Sequence, residues 1–255
     1  MKLKDKLGYL PLVIVDAGYS QQIYGSDGMA LPIVKDDNYI KRRKFNNDIM
    51  DRFIEKAKNL KFIVLDVAPE EYDMSLEIRI NRANVNYTTY LNKYDDISGD
   101  RASVYIALQY DPKACNWDDT DNSLKILYLN DDTESRDLAN LINNQFDNIT
   151  GTIRASNNYV LKHLNMHGIL IDVSFMDLKE QVDWMQKEDF IEEVADKILL
   201  GCLQYFGIKK IEDVNPDSNL SIDKRIRKLQ EKIDKLDKRI TLFEEKITDF
   251  DKFIK

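Results

Sequence analysis

The chain has 255 residues, 43% of them hydrophobic and 32% charged, enough for one full-size domain with a real core plus an appendage. Its net charge of −8 is unevenly spread: residues 221–255 carry 11 basic and 8 acidic side chains, leaving 26 basic against 37 acidic elsewhere. An acidic body without a basic stripe argues against nucleic acid and anionic membrane as partners, and no window reaches the ~18 uninterrupted apolar residues of a membrane span.

The N-terminal residues Met1-Lys-Leu-Lys-Asp-Lys-Leu-Gly8 lead into Leu12-Val-Ile-Val15. That apolar run is too short for a signal-peptide core and no small-residue cleavage site follows it, so it is read as a first strand of a protein made and used in a cytoplasm. Further strands are predicted over Phe62–Val67, Val104–Gln109, Leu124–Leu129 and Ile169–Val173, and helices over 46–58, 75–92, 135–148 and 187–206. Continuous apolar strands alternating with amphipathic helices predict an α/β domain, a mostly parallel sheet flanked by helices, over residues 1–210.

Between these elements little else suggests chemistry. The acidic stretch Asp118-Asp-Thr-Asp121 lacks the glycine turn and terminal glutamate of a calcium loop and reads as a solvated loop. His163 and His167, the only histidines, have the i, i+4 spacing of a helical metal pair, but no third ligand accompanies them; they read as partly exposed loop residues. Cys115 and Cys202 stand far apart and read as unpaired thiols. There is no glycine-rich phosphate loop, and no serine or cysteine has a histidine partner in sequence context.

Pro216-Asp-Ser-Asn219 breaks the pattern, and residues 211–220 read as a linker to a second region, 221–255. There the apolar residues Ile222, Ile226, Leu229, Ile233, Leu236, Ile240, Phe243, Ile247, Phe250 and Ile254 are spaced by alternating steps of four and three. This is the 3.5-residue period of a left-handed coiled coil, about 50 Å long at 1.5 Å per residue. Isoleucine fills every a position from Ile226 to Ile254; the d positions carry Ile222, Leu229, Leu236, Phe243 and Phe250. β-Branched a with leucine d favours a parallel dimer, while the two phenylalanines leave a trimer open.

The flanking charges set the orientation. The g positions Arg225, Lys232, Arg239 and Lys246 are basic, and all the e positions but Gln230 are acidic: Asp223, Asp237, Glu244 and Asp251. A parallel pair matches Lys232 with Asp237, Arg239 with Glu244 and Lys246 with Asp251; an antiparallel pair sets like charge on like. Each exposed pair contributes only ~0.5 kcal/mol, but all favour parallel self-association.

Within the body a series of short motifs resembles one family. Val13-Ile-Val-Asp16-Ala17-Gly18 is similar to the opening strand and turn of the zinc-dependent N-acetylmuramoyl-L-alanine amidases, which cleave the bond between muramic acid and the stem peptide of bacterial cell wall. Ser75-Leu76, Arg79 and Ala83-Asn84 resemble their Ser-Leu-x-x-Arg-x-x-x-Ala-Asn helix. Ser135, Leu138-Ala139 and Ile142 resemble the next helix, Leu170-Ile-Asp172-Val-Ser-Phe175 the late strand, and Ala195, Ile198, Gly201 and Tyr205 the closing helix. The resemblance runs in order over about residues 10–207.

It implies one zinc held by His, Glu and His, with a second glutamate as base on the metal's water. At the first histidine position this chain has Tyr19, a phenol with an unperturbed pKa near ~10 and a poor ligand at neutral pH. Arg42 is the best match to the glutamate ligand, and there is no Glu before Glu55. A guanidinium ~4 Å from a dication costs about 8 kcal/mol even at an effective dielectric of 20, so it opposes the metal. Ala107 stands at the second histidine and Asp172, one methylene shorter, at the catalytic glutamate.

The expectation is therefore a catalytically inactive amidase-fold protein with no cofactor and no metal. It associates with itself as a parallel dimer or trimer and with other proteins of an assembly. Amidases lacking a signal peptide resemble phage lysins, made in the cytoplasm of a bacterial host, which suggests a phage virion component of head, neck or tail. The alternatives are a divergent peptidoglycan-binding protein or amidase, and a bacterial cytoplasmic scaffold.

Overall fold

The computed structural model describes residues 7–17, 23–24, 30–31, 37–70, 74–94, 100–109, 124–146, 151–173 and 188–208. Two units separate in the chain, Met1–Lys209 and Lys210–Lys255, and the described residues all fall in the first. The ten coiled-coil positions from Ile222 to Ile254 and the linker lie outside them.

The elements run β1 (Leu12–Asp16), β2 (Ile23–Tyr24), β3 (Ala30–Leu31), α1 (Asp37–Asn59), β4 (Ile63–Asp66), α2 (Leu76–Lys93), a 3₁₀ turn (Asp100–Ala102), β5 (Ser103–Gln109), β6 (Leu124–Leu129), α3 (Thr133–Asn143), β7 (Gly151–Ser156), α4 (Tyr159–His163), β8 (Gly168–Val173) and α5 (Glu188–Tyr205). Six strands form one sheet in the order β4-β1-β5-β8-β6-β7, and β2 pairs with β3 in an antiparallel ribbon. Every pairing in the main sheet is parallel except β6 with β8. The fold is the expected α/β type, a mostly parallel sheet flanked by helices.

Helices cover both faces, which is why the central strands are apolar on both sides. On one face α2 and α4 pack over Leu12, Ile14, Tyr105, Ala107 and Leu170, contributing Leu76, Ile80, Ala83, Tyr90, Val160 and Leu161. The alternate residues Val13, Val15, Val104, Ile106 and Leu108, all buried, point to the other face, where α1, α3 and α5 lie. Arg52 bridges α1 to Glu188 and Glu192 of α5, and Lys56 to Glu192 and Asp196. Helix α5 closes in a Schellman turn: Ile208 N donates to Leu203 O and Gly207 N to Gln204 O, with Gly207 at φ +74°.

Several expected boundaries move. The first helix begins at Asp37, not 46, because its opening turns, Asp-Asn-Tyr-Ile-Lys-Arg-Arg-Lys, show no apolar stripe. Helix α3 stops at Asn143 rather than 148: Asn144, Gln145 and Phe146 turn back through hydrogen bonds to Asn140, Ile142 and Asn143. Strand β7 and the short ribbon have no counterpart in the sequence reading. Nor does α4, at whose end His163 sits instead of in a loop.

Candidate functional site

In a sheet of this type the crevice lies beyond the carboxyl ends of the parallel strands. Strand register shows which side chains gather there. Asp16, Ala107 and Leu170 form one row across β1, β5 and β8; Gln109 and Asp172 stand in the next, with Lys125 of β6 directly opposite Asp172. Because β6 runs antiparallel, its first residues, not its last, reach this edge. Side chains alternate along a strand, so Ala107, Asp172 and Lys125 share the α2/α4 face with Tyr105 and Leu127.

Asp16 is committed to the fold. Its two carboxylate oxygens accept hydrogen bonds from Arg79 Nη1 at 2.7 and 2.8 Å, and Oδ2 also accepts from the Tyr105 hydroxyl. All three are almost entirely buried. Burial, then the neighbouring Asp16 charge, push the Tyr105 phenol well above its ordinary value, so it stays a donor. Arg79 is delivered by the helix motif: Ser75 caps α2 by accepting from Ile78 N, Leu76 and Ala83 are buried against the sheet, and Arg79 reaches Asp16. Asn84 donates to His163 O and accepts from Asn165 N, tying α2 to the segment before β8.

The four positions singled out from the sequence fare unequally. Ala107 is fully buried in β5 beside Asp16, and Asp172 is buried near the end of β8; the register brings their rows together. Arg42 lies in α1, but its side chain, like the whole of Tyr19, lies outside the described residues. Among the described residues no group of three or more His, Cys, Asp or Glu side chains is placed to hold a metal ion. Among the described residues the edge presents a methyl group, one carboxylate bound to a guanidinium, another opposite a lysine, and the half-buried Asp66 at the end of β4. This donor set does not fit a zinc ion.

Lys125, Gln109 and Tyr105 were not singled out from sequence. Tyr105 and Gln109 could have been found two residues either side of Ala107 by strand alternation. Lys125 could not, because nothing in the sequence says that β6 runs backwards.

At the opposite edge His167, Asp132 and Ser135 meet. His167 Nδ1 donates to Asp132 Oδ1 at 2.8 Å, and the Ser135 hydroxyl donates to Asp132 Oδ2 and accepts from Gly168 N. These are the residue types of a hydrolase triad in the wrong order. A nucleophilic serine must give its hydrogen bond to the imidazole, whereas this buried hydroxyl gives it to the carboxylate. Burial pushes the Asp132 carboxyl up, but the hydrogen bonds from the His167 ring, the Ser135 hydroxyl and the Ser135 N–H outweigh it and hold it at about 2. The cluster caps α3 and pins the start of β8. His163 is exposed, its Nδ1 2.7 Å from Tyr159 O and its ring tilted over that tyrosine. Cys202 is buried and unpaired, and burial pushes its thiol up; Cys115 and Asp118–Asp121 lie outside the described residues.

Comparison with known proteins identifies the family and the fold. The family model described as N-acetylmuramoyl-L-alanine amidase matches residues 13–204. Among solved structures, the N-acetylmuramoyl-L-alanine amidase of Clostridium difficile 630 is 20% identical with a TM-score of 0.59, covering 79% of this chain and 99% of that one. The catalytic domain of the CwlV amidase from Bacillus (Paenibacillus) polymyxa var. colistinus is 18% identical, TM-score 0.55, covering 78% and 100%. The catalytic domain of the CD27L endolysin, which targets Clostridium difficile, is 18% identical, TM-score 0.50, covering 77% and 98%. A search of curated protein sequences finds no match.

Proposed function

Because the chain belongs to the N-acetylmuramoyl-L-alanine amidase family over residues 13–204, we propose that it keeps the family fold without its zinc chemistry and serves as a self-associating structural or interaction protein. The observation that carries this is Ala107, a fully buried methyl group where the resemblance calls for a histidine ligand. An alanine has no lone pair to give a metal. Asp16, the carboxylate in the same row, is held by Arg79 and Tyr105. Tyr19 and Arg42, at the other two ligand positions, point the same way by residue type.

Self-association through Ile222–Ile254 would place acidic heads on a parallel stalk. The endolysin among the structural neighbours supports a phage lineage, and with it a place in a virion head, neck or tail assembly made in a bacterial cytoplasm. Partners are then further copies of this chain and other proteins of that assembly.

A second reading has one observation in its favour. Asp172 keeps a carboxylate at the family's base position, so a divergent peptidoglycan-binding protein or amidase is the alternative. Zinc content separates the two. The purified protein, exposed to equimolar zinc and desalted, is expected to retain below about a tenth of an equivalent per chain. One tightly held zinc overturns the proposal and sends the protein to amidase assays. Co-sedimentation with isolated peptidoglycan then tests for a retained sugar–peptide groove, and its absence is the expected result.

A further inference from the structure

The main sheet ends on two unlike edges. β7 closes one with Gly-Thr-Ile-Arg-Ala-Ser, a largely polar strand whose Arg154 is exposed. β4 closes the other with Ile-Val-Leu-Asp, all four residues half-buried. Lysine, proline or a bulge commonly blunts an edge strand against pairing, and β4 has none of them.

The backbone fixes which groups β4 offers. Ile63 N donates to Pro11 O and Val67 N to Val15 O, so the odd-numbered residues turn their N–H and C=O groups towards β1. Those of Val64 and Asp66 therefore point away from the sheet, where no strand among the described residues meets them. The side chains beside this edge are apolar: Ile63 and Leu65 pack only partly against the core under α2. Arg82, donating to Val67 O, marks the side of α2 nearest to β4. Ile78 and Val85, four residues before it and three after, share that side and are 45% and 55% exposed.

The other face of the edge ends in a carboxylate. Val64 pairs with Val13, so Val64 and, by alternation, Asp66 lie on the α1 face. No ion pair joins Asp66 to a cation among the described residues; its Oδ1 accepts one hydrogen bond, from Ala68 N at 2.9 Å. Burial, and further the charges of Asp16, Asp51 and Glu70, push its carboxyl up against that single bond. An incoming lysine or arginine relieves this crowding, and an incoming carboxylate adds to it. A second copy of the edge supplies no such cation: residues 62–67 contain no basic side chain, so no register of β4 on itself sets one directly opposite Asp66.

We propose that the outer edge of β4 is a strand-docking site for another protein. An extended segment of that partner hydrogen-bonds to the outward backbone of Val64 and Asp66, lays apolar side chains beside Ile63, Leu65 and Val85, and sets a lysine or arginine against the Asp66 carboxylate. The inference rests on the reading of this chain as an interaction protein and deepens it by naming the surface and the chemistry of the partner.

Blocked octapeptides and the full-length protein test it. The peptides alternate valine with threonine and carry one lysine, glutamate or serine at each position in turn; binding is read by fluorescence polarisation. Val64→Pro removes an outward N–H without touching the β1 ladder, and Asp66→Asn removes the charge. The natural chain is expected to bind the best lysine peptide about tenfold more tightly than its glutamate counterpart. Val64→Pro, with an unchanged thermal midpoint, should weaken that peptide about tenfold, and Asp66→Asn should bind the two peptides alike. No binding by any peptide, full binding by Val64→Pro, or a lysine preference that survives Asp66→Asn overturns the proposal. Should Val64→Pro not fold, N-methylation of alternate peptide residues decides the same point on the natural chain. One of the two methylation patterns is expected to abolish binding, and equal effects overturn strand pairing.

Sedimentation velocity tests the rival occupant. Adding Val64→Pro to Ile233→Asp/Ile240→Asp is expected to leave the mass unchanged; a fall would put a second copy on the edge and overturn the assignment to another protein. Zinc content stands apart from all of this. Failure of the peptides with no zinc retained removes the docking site and leaves the zinc-free reading intact, whereas one tightly held zinc overturns that reading whatever the peptides do.

Discussion

Arg79 and Asp16 form an ion pair that water barely reaches, with 2% and 1% of their side chains exposed. Such pairs need not add stability relative to an apolar substitute, but breaking one from a single side strands a buried charge. Arg79→Leu is therefore expected to destabilise the body by about 3–5 kcal/mol in urea denaturation. Tyr105→Phe, which removes one of Asp16's donors and leaves the guanidinium, should cost about 1–3 kcal/mol. A smaller loss for Arg79→Leu than for Tyr105→Phe would mean that the tyrosine, not the guanidinium, is the partner on which this buried cluster depends. Each residue of the helix motif carrying Arg79 has structural work: Ser75 caps α2, Leu76 and Ala83 are buried, Arg79 holds Asp16 and Asn84 ties α2 to the segment before β8.

Asp132 is the other residue whose charge matters to the fold. Its folded pKa, about 2, lies below the ordinary 3.8, so it stabilises the folded state above pH ~4 and that contribution is lost as pH falls through about 2. Partial exposure screens the pair and asparagine still caps the helix, so Asp132→Asn, which removes the charge from the bonds to His167 and Ser135, is expected to cost about 1 kcal/mol at pH 7. Chemical denaturation at stepped pH should show the two proteins converging towards pH 2. A constant gap down to pH 2 would place the cost in the shape of the cap rather than its charge.

At the scale of elements, α3 and α5 meet closely at Gly201. A methyl group added at Gly201 would lie 2.4 Å from Ile142 Cγ1 and 2.6 Å from Ile142 Cα, backbone that cannot step aside. Gly201→Ala is thus expected to lower stability by about 1–3 kcal/mol despite alanine's better helix propensity, read as a lower thermal midpoint. A rise instead would mean that the helices have room to part.

Elements that bury a regular stripe were legible from sequence: β1 and β6 fall where the apolar runs put them, and α2 and α5 within a residue. What escaped was whatever lacked such a stripe. β7, Gly-Thr-Ile-Arg-Ala-Ser, sits at the sheet's edge with no buried residue to announce it, and the opening of α1 has Tyr39 and Ile40 but no repeating apolar stripe. Ala107 and Asp172, singled out from the sequence, lie buried near the carboxyl ends of neighbouring strands. The site was not legible as a charge arrangement. Arg79 with Asp16, and Lys125 opposite Asp172, depend on which strands are neighbours and which way they run.

At the scale of the whole molecule, the outstanding expectation is that the heads are joined by their tails. The periodicity of residues 222–254 is a property of the sequence, and a seam of ten apolar residues exposed on a lone helix would be unstable in water, where isolated helices are marginal. Self-association would bury the seam, and the alternation of basic g with acidic e residues would then select the parallel register. Replacing two a positions, Ile233→Asp and Ile240→Asp, puts carboxylates into that seam and is expected to yield a monomer by sedimentation velocity, with the thermal transition of the body unmoved. Orientation has its own readout: in a parallel pair the two copies of residue 222 face each other across the seam, in an antiparallel pair they lie a rod length apart. Ile222→Cys, with Cys115 and Cys202 replaced by serine and alanine, should therefore form an interchain disulfide under mild oxidation at concentrations where the double aspartate variant forms none. Crosslinking only between residue 222 and a second cysteine placed near Ile254 would reverse the polarity. The heads would then face opposite ways along the rod, and a stalk presenting them side by side to one partner would no longer be tenable.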